Sequence, residues 1–231
     1  MKTKSLVFLL LFSLCAQDTN NIIEDENIII EDAIEPYCNG ASFSEVSNLN
    51  FDDLKTLNVK IVQSSEWYKN LANAYYITGP FPYGFIEDKY KDTFFALITA
   101  SFKNFECNFD AEVRISGDWK DHLDIDELIS SMDVSLSNGN LFGIVKFKLL
   151  LPHTRYADNE IFTSTMFSHL GFVSPRTFYT NVNVNGFYEG KFIFQEKATK
   201  ELIENHLFRE GPILEINEKY HWNTSTGVPF Q

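Results

Sequence analysis

Arg176-Thr-Phe-Tyr-Thr-Asn-Val-Asn-Val-Asn-Gly-Phe-Tyr-Glu-Gly-Lys-Phe-Ile-Phe-Gln-Glu-Lys197 reads as two alternating apolar runs around Asn185-Gly186. An Asn-Gly pair so placed predicts an antiparallel hairpin, because both central residues of a type I′ turn need φ > 0. The second run, Phe187 to Gln195, delivers Glu196-Lys197 to a helix-like segment. By pattern alone Glu196 is either an ordinary exposed strand end or a carboxylate presented to a site.

The same pattern extends outward from this hairpin. Leu57 to Val62 alternates as a strand. Asp92–Phe102 and Phe105–Ile115 predict long strands joined at Lys103-Asn104, and Met132–Ser137 and Leu141–Leu151 predict another pair across Asn138-Gly139. Ser65 to Tyr76 has helical periodicity. A second helix is expected from a cap at Asp158 to Leu170, with Gly171 as its stop. Its apolar positions Ile161, Phe162, Met166, Phe167 and Leu170 read as a core-facing stripe. A third helix runs from a cap at Thr199 to Phe208, ended by Gly211-Pro212, before a short strand Ile213–Asn217. The expected fold class is α+β, a mainly antiparallel sheet with two or three helices.

Composition narrows the function classes. The chain has 231 residues, 15% of them aromatic, so a sizeable core can be built. A net charge of −13 argues against nucleic acid as a partner, since phosphate backbones need a basic face. Met1-Lys2-Thr3-Lys4, the apolar Ser5–Leu14 and the small residues near Ala16 read as a signal peptide over 1–16. That run is too short for a membrane span. The mature protein is therefore expected to be exported to the periplasm, cell surface or medium, with no transmembrane span. Residues 17–54 carry acids and no Lys or Arg, and read as a flexible segment before a domain over 55–231. Ile22-Ile23 and Ile28-Ile29-Ile30 could dock on that domain. Cys38 and Cys107 remain after cleavage; they are a disulfide candidate, the alternative being two unpaired buried thiols.

Motifs for known chemistries are sparse. No phosphate-loop, dinucleotide or nucleophile-elbow signature occurs. Asp121, His122, Asp124 and Asp126 form an acidic loop without the glycine and closing glutamate of a calcium loop, so a solvated loop is the reading. Asn223-Thr-Ser is a glycosylation sequon.

The order of blocks carries a resemblance. Arg114-Ile-Ser-Gly-Asp is followed by a hairpin, a helix ending His169-Leu170-Gly171, Ser174-Pro175, and Val184-Asn185-Gly186-x-x-x-Gly190. Then come a strand ending at Glu196, a helix, and Glu210-Gly211-Pro212-Ile213. From about Leu57 to Asn217 this resembles the N-terminal half of the spore coat protein H (CotH) kinase family, most closely over Phe162–Gly211. The resemblance implies an atypical protein-kinase-like fold that transfers phosphate from ATP, with Mg²⁺, to serines of a protein substrate. It implies nucleotide contacts at Arg114 and Glu196, with Lys146 and Lys148 standing in for a basic strand. The sequence departs from the family there, because Asp133 and Ser135 occupy the strand expected to be basic. The family's metal-binding and catalytic aspartates follow the block near Asn217. The chain is therefore expected to be a C-terminally truncated, inactive member, or else a non-catalytic binding or structural module on the same scaffold.

Overall fold

A computed structural model describes residues 37–40, 49–79, 84–209 and 211–214. The expected signal peptide, most of the acidic segment, the isoleucine clusters and the sequon lie outside these residues. Seven strands close into a barrel: β1 (Thr56–Ile61), β2 (Phe94–Ser101), β3 (Glu106–Ile115), β6 (Met132–Leu136), β7 (Lys146–Leu150), β9 (Tyr188–Glu196) and β8 (Thr177–Val184), in that spatial order. A two-stranded ribbon of β4 (Leu123–Asp124) and β5 (Ile129–Ser130) stands apart from it. Among the described residues, helices α1 (Ser64–Ile77), α2 (Asp158–His169) and α3 (Lys200–Asn205) flank the barrel.

The expected open α+β sheet, like the N-terminal part of a kinase, is therefore corrected to a closed mixed barrel. Every neighbouring pair is antiparallel except β1 and β8, which run parallel in register from Thr56↔Asn181 to Val59↔Val184. That seam joins the two strands left as edges by the hairpins, and closure removes both rows of unpaired backbone groups. Asn185 pins it: its Oδ1 accepts from the Ile61 N–H at 2.7 Å, and its own N–H reaches the Val59 carbonyl at 2.9 Å. The turn residue that marks the hairpin thus also closes the barrel. Asn185 and Gly186 lie at φ 53° and 73°, as a type I′ turn demands.

Alternation fills the interior. Cys107, Phe109, Ala111, Val113 and Ile115 of β3 are buried, while Glu106, Asn108, Asp110, Glu112 and Arg114 between them are exposed. Phe147, Phe178 and Phe194 stack in the core, with centroids 4.4 Å and 4.6 Å apart. At one end α1 caps the barrel, and Trp67 meets Phe94 edge-on. At the other, Tyr37 and Phe51 pack on Phe102, Phe142 and Phe178. Cys38 and Cys107 are bonded to each other, with Cα atoms 5.9 Å apart. Parts of the acidic N-terminal segment are thus built into the domain.

Local expectations differ in outcome. The first hairpin and the helix over 65–76 appear nearly as read. The Asn138-Gly139 connection is wider than a two-residue turn, because β6 ends at Leu136 and β7 starts at Lys146, with Leu141 and Ile144 bridged between them. Neither α2 nor α3 has a side-chain cap; Asp158 is the first helical residue and accepts from Tyr179 Oη instead. α3 is shorter than expected, and Ile213 and Leu214 are not in a strand.

The apolar stripe of α2 does not face the core. Phe162 and Leu170 are 67% and 64% exposed, and Met166 and Phe167 are also exposed; only Ser164 is buried. The helix docks on β8 and β9 through polar groups. Ser164 Oγ accepts from Thr177 Oγ1, its carbonyl accepts from Ser174 Oγ, and Glu160 accepts from Gln195.

Candidate functional site

Strand alternation separates the residues that the resemblance groups together. Arg114, Asp133, Lys148, Gln195 and Thr177 are register partners in one row across β3, β6, β7, β9 and β8. Lys146 lies two residues before Lys148 and shares its outward parity. Glu196 is the register partner of buried Phe147 and belongs to the inner face. The three cations therefore share the outer wall, and Glu196 sits inside the barrel end.

Glu196 is committed to Arg176. Its side chain is 1% exposed. Oε2 accepts from Arg176 Nε and Oε1 from Arg176 Nη2, each at 2.8 Å, and Arg176 Nη1 donates to the Phe142 carbonyl at 2.7 Å. The fork geometry matches guanidinium to carboxylate and satisfies both oxygens. Arg176 escaped the sequence reading because an arginine one residue before a strand has no pattern of its own.

On the outer wall Asp133 collects partners. Arg114 Nε lies at 3.3 Å and Lys197 Nζ at 3.4 Å from Oδ2, and Ser116 Oγ donates to Oδ1 at 3.1 Å. The Lys146 and Lys148 side chains make no hydrogen bond or salt bridge among the described residues. The Pro152–Arg155 turn follows β7 directly and brings in His153, whose Nε2 lies 2.8 Å from the Asp121 carbonyl oxygen. Arg155 Nε is buried without a partner, as are His122 Nδ1, Asp121 Oδ1 and Ser130 Oγ. Such orphaned groups are uncommon in a folded interior.

His122 lies beneath these cations. It is 3% exposed. Gly117, at φ 88°, allows that position, since a Cβ there would come within 2.1 Å of the imidazole. Burial, and then the charges of Arg155 and Lys148, push the His122 pKa down from 6.5 to about 3, with Asp118 opposing and His153 adding slightly. The folded state thus holds His122 neutral while the unfolded chain protonates it near 6.5. This contribution to stability is present above pH 6.5 and is lost as pH falls toward about 3. Between pH 6.5 and about 4, wild type is expected to lose up to ~1.4 kcal/mol per pH unit more than His122→Gln in urea unfolding. Equal slopes for the two proteins would show that His122 is not held neutral.

The acidic loop is organised by turns: Asp124 Oδ1 accepts the N–H groups of Asp126 and Glu127, each at 3.1 Å. Among the described residues no three His, Cys, Asp or Glu side chains are grouped to hold a metal. No helix among them is long and apolar enough to cross a membrane. No family model matches the chain, and no curated protein matches it in sequence.

Proposed function

We propose that this chain is an exported protein that binds a polyphosphate ligand, ATP by the CotH resemblance, on the outer wall beside the Pro152–Arg155 turn. The observation that carries the reading is the uncommitted cationic corner of Lys148 and Arg155, in a chain of net charge −13. Phosphate oxygens accept from Arg and Lys in a half-buried setting more strongly than on an open surface. Lys146, exposed on the same wall, extends the positive track. Mg²⁺ would be held there only through the ligand's phosphates, because Asp133 and Glu196 are already paired and Asp121 Oδ1 is closed to solvent. Such an ion would supply charge neutralisation on the phosphates. Phosphoryl transfer to protein serines rests on the resemblance alone.

A second reading is a non-catalytic extracellular binding module. Asp133 favours it, since this carboxylate neutralises Arg114 and Lys197 on the wall that ligand phosphates would approach.

Thermal unfolding with ATP plus Mg²⁺, ATP alone and tripolyphosphate separates the two. The polyphosphate reading expects stabilisation of about 1.4 kcal/mol at ten times Kd. It also expects a roughly ten-fold weaker affinity in Lys148→Ala. No stabilisation at millimolar ligand would leave the binding module. Binding without transfer of labelled phosphate to the chain or to a serine-rich protein would remove the kinase activity and keep the site.

A further inference from the structure

A second site lies away from the cationic corner. The first half of α1 faces the residues leading into β2 across a groove of about 570 Å³. Glu66, Lys69, Asn70 and Asn73 recur at helical spacing and line one side. Asp92 and Phe95 line the other. None of the Glu66, Lys69, Asn73 and Asp92 side chains makes a hydrogen bond or ion pair among the described residues. Asn70 is only 7% exposed, yet its Nδ2 has no partner. The amide torsion is broad and two-fold, so a half-turn exchanges the donor and acceptor ends facing the groove. Phe95 keeps 42% of its surface exposed at the rim.

We infer that this groove binds a neutral saccharide. Carboxylates accept from sugar hydroxyls, while amide and ammonium groups donate to them, so a mixed set reads vicinal diols. The exposed Phe95 ring offers a flat apolar surface to the C–H face of a pyranose. Two carboxylates against one ammonium disfavour an anionic ligand, and the polar lining disfavours a purely apolar one.

The test titrates the full chain with soluble cello-, malto-, xylo- and chitohexaose, read by calorimetry and by ligand-observed NMR. At least one is expected to bind with a Kd on the order of 1 mM or tighter. Phe95→Ala and Asp92→Asn, both at exposed positions, are expected to weaken it at least roughly ten-fold. Near-ultraviolet circular dichroism checks that both variants stay folded. Lys148→Ala should leave saccharide affinity unchanged, which keeps this inference separate from the polyphosphate reading. The inference fails if no hexasaccharide binds, or if binding survives in the Phe95→Ala/Asp92→Asn double variant.

Discussion

Arg176→Ala is expected to destabilise the protein by about 3–5 kcal/mol, the cost of leaving a buried carboxylate uncompensated. Glu196 is 1% exposed and has Arg176 as its partner on both oxygens. The same change strips the Phe142 carbonyl of its donor at the barrel end. Arg176→Lys should fall between, since one ammonium cannot reproduce the two-pronged contact. An apolar double replacement, Arg176→Met with Glu196→Leu, is expected to regain most of the loss, because the penalty comes from an unpaired buried charge rather than from a missing attraction. Urea unfolding at neutral pH reads all three. A loss below about 1 kcal/mol in Arg176→Ala would mean that Glu196 reaches water or another cation once Arg176 is gone.

Breaking the Cys38–Cys107 bond, by reduction or by Cys38→Ser, should remove about 4 kcal/mol. The bond spans 69 residues of sequence, so the unfolded chain without it gains a large loop entropy. The bridge also anchors the strand-side contacts of Tyr37 with Phe102 and Phe142. The expected reading is a fall in Tm on the order of 10 °C for a chain of this length. Cys107→Ser should reproduce it without adding to it, since either change opens the same loop. Unchanged unfolding under reducing conditions would show that the aromatic packing alone holds Tyr37 in place.

The two pairs differ in sequence distance: Cys38 and Cys107 are 69 residues apart, while Arg176 and Glu196 meet at the base of one hairpin, and distance limits what the chain reveals of itself. The strands were legible because period-2 alternation is local, as in β3 from Glu106 to Ile115. The Asn185-Gly186 turn was legible for the same reason. The closure between β1 and β8 was not, because the two strands are separated by more than a hundred residues and parallel pairing leaves no hairpin signal. The stripe on α2 shows a different limit. The five apolar positions do not gather on one face of the helix, and most of them lie outside the core. Ser164 docks the helix, and Phe162 and Leu170 point to solvent.

The candidate site divides in the same way. Lys146, Lys148 and Arg114 could be chosen from the sequence as cations on strands near one another. Their sharing of the outer wall with Asp133, and the separation of Glu196 from them, depend on register, which only pairing fixes. Arg155 has no motif, and His122 reads in the sequence only as part of a solvated acidic loop, yet both carry orphaned buried atoms. Their importance comes from being folded under each other by the turn after β7.

The sequence by itself determined the strands, the first hairpin turn, the cysteine candidates and the acidic balance, because each is written in neighbouring residues or in a sum over all of them. Tertiary structure alone decided that the sheet closes, that Glu196 is sealed by Arg176 inside the barrel end, and that uncommitted cations gather outside it. Those outcomes depend on which face each side chain takes and which distant strand lies beside it, and a one-residue change of register would reverse them.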